Sequence, residues 1–137
     1  MKYQEVKKDV EKRVNAFPIK YAFNDTQLEE GLKALGITKN EAVSIDYGGF
    51  IRKSDVDDYK KMWAEIKERH SKLIREDDEY VRTMFAYELA NHEYCITYDL
   101  DDTLDACGIS YSEIENDMRL NKLLTDARKK YLASVDW

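Results

Sequence analysis

The strongest constraint on the fold is an apolar stripe at helical spacing. Val56, Tyr59, Trp63, Ile66, His70 and Leu73 recur at alternating intervals of three and four. That period places them on one face of a single long helix and leaves charged residues on the other. Ser54-Asp55-Val56-Asp57 reads as its start, with Ser54 as the cap and acids in the first turn. His70 lies on this stripe, where a lone histidine is more often packed or hydrogen-bonded than a ligand.

The same period recurs elsewhere. Val6, Val10 and Val14 describe a first helix that ends at Phe17-Pro18, because proline disfavours helix in the residue before it. Asn24-Asp25-Thr26 opens a second, with Leu28, Leu32 and Leu35 inward and Gly36 as its stop. Residues 79–95 are apolar on most sides and are expected to form the central core helix. Tyr94 to Tyr98 suits helix or strand, and is read as helix running into a loop at Asp99. Ser110-Tyr111-Ser112-Glu113 is a capping box that opens the last helix, whose inner stripe is Leu120, Leu124, Ala127 and Tyr131. Leu35-Gly36-Ile37-Thr38 and Cys107-Gly108-Ile109-Ser110 echo each other as helix stop, apolar plug and new start. Trp137 either docks on the core or stands free.

Strand signals are few. Ile19 to Phe23 alternates, and residues 42–46 and 50–53 flank Tyr47-Gly48-Gly49, the best hairpin turn in the chain. One proline and five glycines argue against a turn-rich sandwich or barrel. The expected fold is a helix-rich α+β domain, about six helices with a small antiparallel sheet. Its 137 residues read as one domain, and a 43% hydrophobic content suffices for a core. Most of the ten tyrosines are expected in that core, and any left outside would favour a protein-binding surface.

Charge is uneven. Residues 76–117 hold thirteen acids and one base, Arg82, a local charge of −12 within a chain of net −6. Such a run disfavours direct nucleic-acid binding and favours a basic partner or a cation. The candidate partner-binding face comprises Asp77, Asp78, Asp99, Asp101, Asp102, Asp105 and Glu113. Cys95 and Cys107 fit neither a disulfide framework nor a zinc site and suit a reducing cytosol. The N-terminal residues lack the apolar core of a signal peptide, and no apolar run approaches a membrane span. A cytoplasmic location follows as the expectation.

Asp99-Leu100-Asp101-Asp102-Thr103-Leu104, after Ile96-Thr97-Tyr98, resembles the nucleophile loop of haloacid-dehalogenase-like phosphatases. The resemblance implies Asp99 as nucleophile, Asp101 as acid/base, Thr103 in the turn, and a Mg²⁺ to offset the charge. The residues that follow oppose it. Only 33 remain after Leu104, and they read as helical. Parallel strands need crossovers of a dozen or more residues each. Lys122, Lys129 and Lys130 match the required lysine by type alone, and no acidic pair lies beyond them. The plainer reading is that Asp101 or Asp102 caps a short helix ending at Gly108. Zincin-like and EF-hand readings fail, the first at Ile96 and the second at Leu104 and Ser110. A loose hard-cation site among Asp99, Asp101, Asp102 and Asp105 is the remaining metal reading, and no catalytic, metal or cofactor residue is assigned.

The stretch Tyr87 to Asp99, the Tyr21-Ala22-Phe23 segment before Gln27-Leu28-Glu29-Glu30-Gly31, and Gly48-Gly49-Phe50-Ile51 are similar to a family of small proteins from Firmicutes, their phages and mobile elements. That resemblance implies no activity. It implies an accessory role, of which inhibition of host defence is one form. The expected function is a non-enzymatic cytosolic protein that binds a basic surface on a protein partner, a nucleic-acid-binding host protein among them. The alternatives are a Mg²⁺-dependent phosphohydrolase using Asp99 and a structural or oligomerising protein.

Overall fold

A computed structural model of the chain describes residues 1–135. Trp137 lies outside the described residues. In chain order the elements are α1 (Tyr3–Ala16), β1 (Lys20–Tyr21), α2 (Asp25–Leu35), β2 (Ala42–Ser44), β3 (Gly49–Arg52), α3 (Val56–Glu76), α4 (Asp78–Asn91), α5 (Tyr94–Thr97), α6 (Asp101–Cys107), α7 (Tyr111–Asn116) and α8 (Met118–Ser134). The protein is a helix-rich α+β fold with a small antiparallel sheet, as the periodicities require. Among the described residues no helix is long and apolar enough to cross a membrane. The described elements cluster in two compact units, residues 9–69 and residues 1–8 with 70–135, the divisions falling within α1 and α3.

In the unit of residues 9–69, α1 stops before Pro18. The Asn24 side chain accepts the Gln27 N–H at 2.8 Å and caps α2. Gly36, at φ 69°, ends α2, with Ile37 N–H reaching back to the Leu32 carbonyl and Gly36 N–H to that of Lys33. These are the paired bonds of a Schellman stop. The sheet order is β1-β3-β2, with Lys20 opposite Phe50 and Val43 opposite Ile51. Gly31 lets α2 approach the sheet, since a methyl there would meet Phe50 Cζ at 2.5 Å.

Three expectations for this unit need correction. The first strand is two residues long, and Phe23 beyond it is exposed. The left-handed hairpin positions are Tyr47 and Gly48, one residue earlier than Gly48-Gly49, because Ile45 N–H already bonds the Gly49 carbonyl. Ser54 does not cap α3 but lies within a 3-10 turn, Lys53–Asp55, that leads into it. Along α3 the buried residue is Met62, while neighbouring Trp63 is 41% exposed, edge-on to Tyr59.

The other unit is built on α4. Tyr80, Val81, Met84, Phe85, Glu88 and Leu89 are all buried there, so the helix is covered on most sides. Such coverage explains its weak amphipathic pattern. It packs mainly against α8, through Leu120, Leu123, Leu124 and Ala127, and against α6, through Thr103, Leu104 and Cys107. A fully buried side chain the size of Phe85 stabilises by roughly 1.5–3 kcal/mol. His70 is part-buried, with Nε2 2.7 Å from the Cys107 carbonyl and Nδ1 2.5 Å from the Tyr80 hydroxyl. A carbonyl only accepts, so Nε2 donates to it, and in the neutral imidazole Nδ1 accepts from Tyr80.

Among the described residues eight α-helices stand where about six were expected, because two long readings are broken. Glu93 adopts φ 50° and separates α4 from α5, so the core helix ends at Asn91 rather than at residue 95. The Ser110–Glu113 capping box forms, but its helix ends at Asn116. Asp117 then turns extended and caps α8 through the Leu120 N–H at 3.0 Å. The Gly36 echo is real as local structure: Gly108, at φ 70°, stops α6 with the same pair of bonds, to Leu104 and Asp105.

Candidate functional site

The acids of residues 76–117 divide by the work their carboxylates do. Asp77 caps α4, accepting the Tyr80 N–H at 3.0 Å, and also accepts from the Met1 amine at 2.8 Å. The bond from that amine holds the Asp77 carboxyl below its ordinary range. Asp78 pairs with Arg119 Nε at 2.6 Å. Glu113 completes the α7 capping box by accepting the Ser110 N–H at 3.0 Å. These three of the seven proposed face residues serve the helix ends.

The other four lie on and just before α6. The Asp99 carboxylate accepts the Asp101 N–H at 2.8 Å, so it supplies the turn into α6, a role expected of Asp101 or Asp102. Asp101 and Asp102 instead occupy the first helical turn, where the helix dipole favours negative charge. Asp101 accepts from the Tyr111 hydroxyl at 2.7 Å. This bond, with burial and the charges of Asp101 and Asp99, pushes the Tyr111 hydroxyl up to about 12 against the opposing pull of Arg128. Asp102 and Asp105 are exposed on the side of α6 opposite buried Thr103, Leu104 and Cys107. The structure thus joins Asp99, Asp101 and Tyr111 and leaves Asp102 and Asp105 facing solvent.

Apolar side chains stand in the same segment. Ile96 is 71% exposed, Tyr98 59% and Tyr111 47%. The cause is α5, one helical turn held at both ends by non-glycine residues in the left-handed region, Glu93 at φ 50° and Tyr98 at φ 54°. Such conformations persist only where surrounding contacts impose them. Tyr94 supplies one contact: it is buried, and its hydroxyl accepts from Arg128 Nη2 at 2.5 Å and Nε at 3.1 Å. Cys95 supplies another, its Sγ 3.2 Å from the Tyr131 hydroxyl. With Tyr94 and Cys95 turned inward, Ile96 and Tyr98 point out. Neither left-handed residue nor the exposure of Ile96 has a sequence signal. Tyr111 could have been found, because the first residue of a capping-box helix commonly faces solvent. Of the ten tyrosines, Tyr3, Tyr80 and Tyr94 are buried, whereas Tyr21, Tyr47, Tyr98 and Tyr111 are exposed.

The segment before Asp99, where a phosphatase nucleophile loop follows a strand, is here the helix α5, and α6 follows directly. The three described strands all lie between residues 20 and 52 and pair antiparallel. Among the described residues no three His, Cys, Asp or Glu converge as metal ligands. Cys107 is buried, and burial, then the negative charge of Glu88, pushes its thiol up to about 12, so it stays protonated and unreactive at neutral pH.

No curated protein and no solved structure matches this chain. A family model does, over residues 2–130. Since that match covers nearly the whole length, the chain belongs to the family of unknown function DUF7659.

Proposed function

We propose that the protein is a non-enzymatic cytosolic binding protein whose α5–α7 segment engages a basic surface on a protein partner. One observation carries this reading: exposed Ile96, Tyr98 and Tyr111 share a short segment with exposed Asp99, Asp101, Asp102 and Asp105. Protein interfaces combine aromatic and aliphatic anchors, which supply most of the affinity, with a charged rim that steers encounter. Left-handed backbone at Glu93 and Tyr98 holds Ile96 and Tyr98 outward before any partner arrives, which lowers the ordering cost of binding. The acidic rim selects a basic partner, a nucleic-acid-binding protein among them. The mobile-element resemblance extends the proposal to an accessory factor acting on a host protein.

The test is capture of a defined class of partner. A tagged chain should retain a basic protein from its native lysate at low salt and release it as salt rises. Replacing Asp99, Asp101, Asp102 and Asp105 together by Asn should abolish retention, as should Ile96→Ser with Tyr98→Ser. Retention untouched by both variants would remove the basis for this reading.

A further inference from the structure

The helices α4 and α8 run in the same direction. Arg119, at the start of α8, pairs with Asp78 at the start of α4, and Arg128 further along reaches Tyr94 just past the end of α4. Between them lies an open groove of about 980 Å³. Its lining recurs at helical spacing on each helix: Arg82, Ala86 and Ala90 on α4, with Ala127, Tyr131 and Ser134 on the facing side of α8. Ala86 and Ala90 are exposed, so small side chains line the α4 wall over about 6 Å, one helical turn.

Charge at this groove is opposite to that of the α6 face. Arg82 is the only base in residues 76–117, and it lines the groove together with Lys129 and Lys130. Arg119 and Arg128 on the same helix already serve Asp78 and Tyr94. No ion pair engages Arg82, Lys129 or Lys130 among the described residues. Asp126 also lines the groove, one helical turn before Lys130, and leaves the lining with a surplus of two positive charges.

We propose that the α4–α8 groove is a second docking surface, which receives an acidic amphipathic helix from a partner protein. Small residues on both walls allow close approach of a third helix, whose apolar side chains at i and i+4 pack over Ala86, Ala90 and Ala127. Its acidic flanks meet Arg82, Lys129 and Lys130, and this complementarity selects it over a basic or neutral helix. The proposal is independent of the α5–α7 reading, since it uses different residues and the opposite charge.

The test is selection from a displayed library of helix-forming peptides on the full chain. Recovered peptides should carry Asp or Glu beside apolar pairs at i and i+4. Their binding, read by fluorescence anisotropy, should weaken about tenfold or more when Lys129 and Lys130 are both changed to Glu, two exposed positions where the fold is not at stake. Ala90→Trp, which fills the groove, should weaken it comparably. Peptides without acid enrichment, or binding unchanged by both variants, would overturn the proposal. So would a concentration-dependent dimer lost in Ala90→Trp, which would assign the groove to a second copy. Equal binding of the chain to anionic phospholipid vesicles, lost on the same lysine changes and with no peptide recovered, would assign it to a membrane surface and overturn it too.

Discussion

Glu88 and Asp102 belong to one acidic stretch, yet they live in opposite environments. Glu88 is 2% exposed. It accepts from the Tyr3 hydroxyl at 2.7 Å, with His92 Nε2 at 3.2 Å and Lys7 Nζ at 3.8 Å. The histidine contact is close in distance but not aligned as a hydrogen bond. Asp102 stands exposed in the first turn of α6. A buried carboxylate costs several kcal/mol unless its neighbours satisfy it, and α1 does so with two residues one helical turn apart. An exposed carboxylate needs no such company and remains available to a partner. Local charge in a sequence therefore counts acids that hold the fold together with acids that face outward, and only the second kind can recognise anything.

Glu88→Ala tests the first kind and should have the largest effect. Lys7 is partly exposed and can return to water, so the figure for a stranded buried charge does not apply. The Tyr3 hydroxyl cannot, because Tyr3 is buried, and its lost acceptor should cost about 1–3 kcal/mol, with a cavity penalty added. Urea unfolding measures the sum. Combining Tyr3→Phe with Glu88→Leu removes donor and acceptor together and should recover much of the loss. A loss under about 0.5 kcal/mol for Glu88→Ala, the range of ordinary surface changes, would break the distinction.

The capping acids fall between the extremes. Asp77→Ala and Asp117→Ala each remove an N-cap and should cost about 1 kcal/mol. Asp102→Asn and Asp105→Asn should stay within about 0.5 kcal/mol of wild type, because neither carboxylate has a partner among the described residues. Denaturation midpoints at constant slope separate the two classes. Equal effects across all four would mean that the α6 acids also serve the fold.

How much of this was legible depends on how local each cause is. The Asn24 and Gly36 caps of α2, the Pro18 stop, the Ser110–Glu113 box and the Gly108 stop all act within a few residues, so spacing revealed them. Asp117 is of the same kind and was readable as a local cap, but the Ser110–Glu113 box reads as opening one helix that runs through to Tyr131. The −12 run was visible as a count, while its division was not. Burial of Glu88 depends on Tyr3, eighty-five residues away, and pairing of Asp78 on Arg119, forty-one away. Exposure of Ile96 and Tyr98 follows from left-handed backbone at Glu93 and Tyr98, which neither residue type favours and no pattern announces. Nor does the apolar stripe of α3 announce that Met62 is buried while Trp63 beside it is exposed.

The smallest expected effect is the most direct reading of the α6 face. Tyr111 donates to Asp101, and its hydroxyl is pushed up to about 12 from the ordinary value of 10.0. A tyrosine whose folded pKa exceeds its unfolded value holds its proton more tightly when folded. Its contribution to stability is complete below about pH 10 and is lost as pH rises towards the folded value. Because Tyr111 is nearly half exposed, the contribution is small, and spectroscopy reads it better than unfolding does. The difference in tyrosinate absorbance between wild type and Tyr111→Phe isolates this one ring among ten. In Asp101→Asn its midpoint should fall back towards 10, since both the charged acceptor and the largest cause of the shift are gone. An unchanged midpoint would mean that Tyr111 does not rest on Asp101, leaving both groups exposed without fixed geometry and removing the preorganised rim from the proposed interface.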